Sequence, residues 1–396
     1  MLGVGENTRL LQRYEVLERT MMRFNAGWAM ATHAWDVKVM LGRHMWQDAE
    51  RADRLRTRLK ELRSGPLDLD NQSGLEEVVN YAARANHTAE YIAGMYGVIK
   101  AALLDAYRLH RELTDIFLDD ATLEALSLNI LSLEEQCRWT ERLPTFELEP
   151  PYDQAECDCW RAAVAAKLAL AGNIDGSQAE PDDPNVHIPE RPPFQRPHEQ
   201  RLDGFVMRRH RDVPPTRQEG EEWREYVFRT FMNEIGAGDN VASILFDAPT
   251  HVEWGFLYDI ARHGWDEYRH ASMGRQRLRQ LGYEPTSFPL GTGVFEFRDR
   301  LPLLDRLGML VLSDESSAFG YKHGSRKFFR SIGDQESEEY MMYDISDETR
   351  HVKRGRKWIE YLQEALGDTR TVDQLQTDME RLLQERIEFI GTGHKN

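Results

Sequence analysis

The sequence predicts an all-α protein with two helical halves, and three observations support this. Apolar residues recur at three- and four-residue spacing over long windows, with no convincing run of alternating β-branched residues. Segments 31–62 and 249–281 share a Thr-His pair, an Arg-His-x-Trp sequence and a basic tail, which indicates duplication of a helical unit. The pattern Asp-Glu-x-Arg-His occurs twice, at 266–270 and 347–351.

The apolar periodicity predicts four helices in the first half of the chain and five in the second. These helices lie near residues 8–26, 29–63, 74–111, 120–142, 219–247, 250–281, 300–332, 335–366 and 372–389. Residues typical of helix ends support several boundaries. Pro249 suits a first helical turn, Gly282 suits a C-terminal cap, and Gly333-Asp334 can close one helix and open the next.

Residues 144–218 differ in composition from both halves. They include the proline- and charge-rich stretch EPDDPNVHIPERPPFQRPHEQ, which is typical of an extended connector, and one short helix is predicted near 157–171. We therefore expect a first helical domain over 1–143, this connector, and a second helical domain over 219–396.

Composition narrows the classes of partner. The chain has a formal charge of -17, with 50 Lys and Arg against 67 Asp and Glu, so binding to nucleic acid or to an anionic membrane is not expected. No apolar stretch approaches the roughly 20 residues of a membrane span, and the N-terminus lacks a signal-peptide pattern. The three cysteines contain no C-x-x-C motif, which argues against a disulfide framework or a rubredoxin-type iron site. We expect a cytoplasmic protein.

A Glu followed by a Glu-x-x-His pair occurs twice in the second half. The six residues are Glu234, Glu267, His270, Glu315, Glu348 and His351. Glu267 and His270 share a helix face because they are three residues apart. Glu234 lies 33 residues earlier, about what one helix needs to climb, turn and return to the same level. Glu234, Glu267 and His270 each have a counterpart of the same residue type 81 residues later. We therefore expect four carboxylates and two imidazoles to converge between four helices.

This pattern resembles the ferritin-like di-iron oxidase superfamily, which includes rubrerythrins, acyl-carrier-protein desaturases and p-aminobenzoate N-oxygenases. The resemblance covers about residues 219–366. It implies a four-helix bundle in which the six residues hold two iron ions, with manganese or a mixed Mn/Fe pair also compatible. The glutamates would bridge or chelate the metals, and each histidine would bind one. Four buried glutamates beside two histidines would be strongly destabilised without cations.

The resemblance also gives roles to residues next to these ligands. Asp266 and Asp347 precede the ligand glutamates, and the corresponding Asp in the superfamily commonly accepts the N–H of a ligand histidine. Arg269 and Arg350 would then offset the charge of otherwise costly buried acids.

Further residues lie one turn from the motifs. His263 is a candidate seventh ligand, although His44 at the matching place in the first half favours a structural role. Asp344 is a candidate extra ligand or hydrogen-bond partner. Gly274 and Gly355 fall four residues after each motif histidine, where a missing side chain lets helices approach closely.

The first half is expected to be a degenerate ferritin-like bundle. The positions that offsets of 219 and 213 assign to the six ligands are Glu15, Asp48, Arg51, Ala102, Glu135 and Arg138. Arginine does not ligate metals, so we expect the first half to keep the helices and to replace the metal centre with salt bridges.

These features predict a cytoplasmic di-metal oxygenase or oxidase that reduces O2 or peroxide and oxidises a small organic substrate. An external electron donor and a homodimer are compatible with the sequence. The alternatives are a rubrerythrin-like peroxidase or ferroxidase, and a non-catalytic, metal-stabilised structural protein.

Overall fold

The computed structural model describes residues 2–64, 74–143, 153–177, 186–209 and 222–391. These residues are mostly helical, which confirms the all-α prediction. Their only strands, β1 (Met207–Arg208) and β2 (Leu290–Gly291), pair in parallel. No helix in the described ranges is both long enough and apolar enough to cross a membrane.

The chain divides into two compact units, Met1–Arg196 and Pro197–Asn396. The predicted connector is therefore shared between both units where it is described. Its remaining parts, 144–152, 178–185 and 210–221, lie outside the described residues.

The described part of the first unit contains seven α-helices and a π-helical segment, Met95–Lys100, that joins the fourth and fifth. The helices are α1 (Val4–Ala31), α2 (Trp35–Glu61), α3 (Leu75–Ala83), α4 (Thr88–Gly94), α5 (Ala101–Leu113), α6 (Ile116–Arg142) and α7 (Gln154–Leu170). Helices α1 and α2 form the most extensive pair, and α6 packs on α2 and α5. The single helix predicted over 74–111 is interrupted, because the His87 ring accepts a hydrogen bond from the Glu90 N–H at 3.3 Å and starts α4.

The described part of the second unit contains eight α-helices and a π-helical segment, Met309–Glu315. The helices are α8 (Trp223–Met232), α9 (Ile235–Asp247), α10 (Trp254–Gln280), α11 (Gly293–Arg298), α12 (Leu303–Gly308), α13 (Ser316–Ser331), α14 (Gln335–Ala365) and α15 (Val372–Gly391). Helix α10 packs on α8, α9 and α14, and α14 packs on α13.

The helix ends agree with the sequence in two of three cases. Gly282 and Gly333 have φ angles of +87° and +71° just after α10 and α13, a conformation that favours glycine. The Asp334 side chain then accepts a hydrogen bond from Ser337 N at 3.1 Å and caps α14. The prediction for Pro249 is wrong, because α10 begins at Trp254.

Helices α10 and α14 each bury one face with the same four-three-four spacing. The residues on these faces are His263, Glu267, His270 and Gly274 on α10, and Asp344, Glu348, His351 and Gly355 on α14. A Cβ atom at Gly274 would lie 2.6 Å from the Phe228 carbonyl oxygen, and one at Gly355 would collide with the Val311 side chain. The expected close approach of helices at both glycines is confirmed.

Candidate metal centre

All six sequence-predicted ligands converge inside the second unit, together with His263 and Asp344. Glu234 lies at the junction of α8 and α9, and Glu315 is the last residue of the π-helical segment. The other six residues lie on the buried faces of α10 and α14. A π-helix inserts an extra residue per turn and occurs often at functional sites, and here it ends at Glu315.

One set of donor atoms, the two-histidine group, consists of His263, Glu267, Glu315 and His351. Their donor atoms lie within 4.8 Å of one another. His263 Nε2 is 2.7 Å from Glu315 Oε1, and His351 Nδ1 is 3.3 Å from Glu267 Oε1. The two imidazole rings stack with centroids 3.8 Å apart. His263 therefore presents a nitrogen to the same centre as the predicted ligands.

A second set, the one-histidine group, consists of Glu234, His270 and Asp344. His270 Nδ1 lies 3.4 Å from Glu234 Oε2 and 3.6 Å from Asp344 Oδ1. Glu267, His270 and Glu348 form a third set that shares members with both groups. The donor atoms thus form one continuous centre with two adjoining parts.

Each motif aspartate contacts the histidine of the other motif. Asp266 Oδ2 lies 3.3 Å from His351 Nε2, and Asp347 Oδ2 lies 3.3 Å from His270 Nε2. When Nε2–H donates to a carboxylate, the Nδ1 lone pair is free to bind a metal. The crossed contacts therefore turn both Nδ1 atoms toward the centre.

Three arginines surround these aspartates. The Arg269 guanidinium contacts both Asp266 and Asp347, Arg350 donates to Asp347 at 2.9 Å, and Arg262 donates to Asp266 at 3.0 Å. Burial alone would raise the pKa of Asp266, but hydrogen bonds from His351 and Arg262 hold it well below its usual range. The aspartates are therefore fixed as charged acceptors.

The residues of the centre fit a bound metal because their donor atoms are buried and unsatisfied. Nine side-chain oxygen and nitrogen atoms form no hydrogen bond of good geometry within the described ranges. They belong to Glu234, His263, Glu267, His270, Glu315, Asp344, Glu348 and His351. Buried polar atoms are normally satisfied, and a buried carboxylate without a partner costs several kcal/mol. Carboxylate and imidazole together are a donor set that iron and manganese accept.

The electrostatics of the two-histidine group also favour a cation. Burial lowers the pKa of His263, but the carboxylates of Glu315 and Glu267 outweigh burial and raise that pKa to about 10. Burial raises the pKa of Glu315, against the opposing effect of His263. The carboxylates of Glu315 and Glu267 thus make a positive charge favourable at this point in the protein.

Two features of the centre were missed from the sequence. Lys322 on α13 lies 2.7 Å from Asp344 and 2.9 Å from Glu348. It follows Glu315 by seven residues, two helical turns on the same face, so the spacing contained a signal. Glu234 keeps 21% of its side chain exposed, which brings the centre to the surface at the start of α9.

The first unit buries a charged cluster that satisfies itself. Arg51 donates to Glu18 at 2.6 and 2.9 Å and also contacts Asp48. Lys100 donates to Asp48 at 2.7 Å and to Gln136 at 2.6 Å. All five residues are buried. Two cations balance two carboxylates here, so the cluster needs no metal for neutrality.

The first-half positions assigned from the sequence are correct only in part. Asp48 and Arg51 lie in the cluster. Glu15 instead pairs with Arg56 at 2.7 Å, while Ala102, Glu135 and Arg138 are only partly buried or exposed. The π-helical segments end at Lys100 and Glu315, 215 positions apart, and the same shift relates Gln136 to His351. The offset of 213 therefore selected the wrong residues.

Residues 159–389 match a protein family described as "Protein of unknown function (DUF455)". The chain belongs to this family. The match covers more than half of this DUF455 protein and includes every residue of the candidate metal centre. Comparison with curated proteins found no match, and comparison with solved structures found none.

Proposed function

We propose that this chain is a di-metal oxidoreductase whose second unit is a ferritin-like four-helix bundle that binds two iron ions. Manganese and a mixed Mn/Fe pair are the alternative metals. The observation that supports this most is the convergence of nine buried, unsatisfied donor atoms from four helical segments. The carboxylate and imidazole composition matches the ligand set of ferritin-like di-metal proteins.

The two groups of donor atoms would each hold one metal ion. The two-histidine group would bind the first and the one-histidine group the second, with Glu267 and Glu348 between them. Such a metal pair, when bound, supplies binding and reduction of O2 or peroxide. Asp266 and Asp347 would hold the Nε2 protons of the motif histidines and so keep each Nδ1 available as a ligand.

A surface cavity along α10 and α14 is a candidate site for the organic substrate. It has a volume of about 700 Å³ and is lined in part by Met273, Tyr340 and Tyr343. Arg269 lines it too and contacts Asp266 and Asp347. The lining suits a small molecule with apolar or aromatic character. Because the sequence has no C-x-x-C motif, electrons would come from an external donor.

The first unit is, on this proposal, a degenerate copy of the same bundle. In support, Asp48 and Arg51 of its buried cluster lie at the positions of Glu267 and His270. A π-helical segment of the first unit also ends at a cluster residue, Lys100. The three cysteines are free, which favours a reducing, cytoplasmic location. A homodimer is compatible with this arrangement.

A peroxidase or ferroxidase activity is the second candidate. The partial exposure of Glu234 supports it, because peroxide or Fe²⁺ could reach the centre without a deep substrate channel. Peroxide turnover without an organic substrate would favour this candidate. A metal centre inert to both O2 and peroxide would favour a structural role.

The proposal is tested by loading purified protein with Fe²⁺ without oxygen, measuring bound metal, and mixing rapidly with O2 under optical detection. We expect about two metal ions per chain and absorption changes on mixing. The matched control is His351→Gln, which introduces the residue that the first unit has at the corresponding position. Equal metal content in the control and the wild type would contradict the proposed centre.

A further inference from the structure

Lys322 places its ammonium group against the carboxylates on one side of the metal centre. Its Nζ lies 2.7 Å from Asp344 Oδ1, 2.9 Å from Glu348 Oε1 and 3.8 Å from Glu234 Oε1. The side chain is 7% exposed. An ammonium group therefore lies against three carboxylates at the one-histidine group.

The two-histidine group differs in the kind of cation that it faces. Its own imidazoles, His263 and His351, would serve as metal ligands and could remain in place when a metal binds. Among the described residues, the ion pairs of Lys322 join it only to Glu234, Asp344 and Glu348. An ammonium group has three donors and no lone pair for a metal. A metal that takes Asp344 Oδ1 and Glu348 Oε1 as ligands must therefore displace it, and a metal on their other oxygens, which have no hydrogen-bond partner in the described part of the chain, is repelled by it.

We propose that Lys322 enforces ordered metal loading, in which the two-histidine group fills first and the one-histidine group fills second and more weakly. Coulomb repulsion between the ammonium group and a divalent ion a few ångströms away opposes the second metal until the lysine side chain moves. Before that, the ammonium balances carboxylates that would otherwise be buried without a cation. This inference rests on the proposed di-metal centre and assigns its two parts unequal affinities.

The first unit supports a role for this position. The shift of 215 that relates Lys100 to Glu315 relates Tyr107 to Lys322. The Tyr107 hydroxyl donates to Glu18 at 2.9 Å inside the buried cluster. The position therefore points a hydrogen-bond donor at a cluster carboxylate in both units, and only the second unit has a charged donor there.

Titration of the full chain with Co²⁺ under visible absorption tests the inference. For the wild type we expect two binding steps that differ by at least about tenfold in dissociation constant, because only the second ion must displace the ammonium. Lys322→Met should tighten the second step by about tenfold and leave the first within about threefold. Lys327→Met, an exposed lysine on the same helix, is the matched control and should change neither step.

A second measurement assigns the steps without removing Lys322. His351→Gln should remove the tight step, and Asp344→Asn should weaken only the weak step. This arm decides the question if Lys322→Met does not fold without metal. An unchanged second step in a folded Lys322→Met, or the reverse assignment of the steps, would overturn ordered loading and leave the metal centre intact. Absence of Co²⁺ binding to the wild type would overturn both proposals.

Discussion

Asp266 and Asp347 contact Nε2 of the motif histidines and so leave each Nδ1 atom facing the candidate metal centre. Both contacts cross between α10 and α14, at 3.3 Å from carboxylate oxygen to Nε2. Because each aspartate belongs to one motif and holds the histidine of the other, the two halves of the repeat fix each other's geometry. This explains why Asp-Glu-x-Arg-His recurs as a complete pattern rather than as Glu-x-x-His alone.

Asp347→Asn should lower metal affinity by about 10- to 100-fold without abolishing binding, because the amide loses the negative charge that fixes the His270 tautomer. Metal content after equilibration against graded chelator concentrations measures the effect. Glu339→Gln, which changes an exposed carboxylate on the same helix, is the control and should match the wild type. An Asp347→Asn protein with wild-type affinity would show that the contact does not orient His270.

In the first unit, Arg51 is a buried cation at the position that the sequence assigns to His270, and its removal should affect stability alone. Arg51→Met leaves the buried Glu18 carboxylate without its cation and Asp48 with Lys100 alone, so we expect a loss of about 3–5 kcal/mol in the free energy of unfolding. Arg43→Met breaks a half-exposed pair with Glu135 and should cost at most about 1 kcal/mol. Denaturant unfolding gives both values. A decrease in metal content of folded Arg51→Met protein would contradict a metal-free first unit.

The packing of helix α10 against helix α8 depends on Gly274, where α10 contacts the backbone of α8. A Cβ atom there would collide with Met232 N and lie 2.6 Å from Phe228 O. Gly274→Ala should destabilise the protein by about 1–3 kcal/mol. It should also lower metal occupancy, because separating the two helices moves Glu234 away from His270. Unfolding and metal analysis test both effects.

The matched control for this prediction is Gly324→Ala on α13, where a Cβ atom would meet nothing within 4 Å. Alanine has the higher helix propensity, so this change should stabilise by up to about 1 kcal/mol. If both variants behave alike, close packing at Gly274 is not what holds α8 against α10.

The long motif-bearing elements and the helix ends at Gly282 and Gly333 could be predicted from the sequence, and the breaks inside other predicted helices could not. Periodicity placed helices near 250–281 and 335–366, and α10 and α14 cover almost these ranges. The break at Asn233 depends on a distant partner, because its side-chain oxygen accepts a hydrogen bond from Gly291 N at 2.7 Å. The two units need different offsets, 219 for α2 and α10 and 215 for the ends of the π-helical segments, so the match of one helix pair could not give the register of the later helices.

The candidate site could likewise be predicted from the sequence only in part. Spacing along single helices and the repeated 33-residue spacing between helices were enough to select six residues that converge. The role of Lys322 could not be predicted in this way, because its carboxylate partners come from the α8–α9 junction and from α14. Similarly, Glu18 and Lys100 enter the first-unit cluster through contacts between helices, so offsets between aligned segments could not identify them.

At the scale of the whole molecule, the two units represent two solutions to one problem, the burial of acidic side chains between helices. In the first unit Arg51 and Lys100 neutralise Glu18 and Asp48 within the protein. In the second unit, five carboxylates converge on three imidazoles and the single ammonium of Lys322. The remaining negative charge is what a pair of divalent ions would balance.

This division predicts that metal binding belongs entirely to the second unit. Residues 197–396 contain every candidate ligand and the aspartates and arginines that orient them, so this fragment should bind about two metal ions per chain, as the full chain does. Residues 1–196 should bind none, because their buried cluster is already neutral. Metal analysis of both fragments, with circular dichroism to establish that each is folded, makes the comparison. About four metals in the full chain, or binding by folded residues 1–196, would show that the first unit still has a metal site. A folded second fragment without metal would show instead that the centre needs residues outside 197–396.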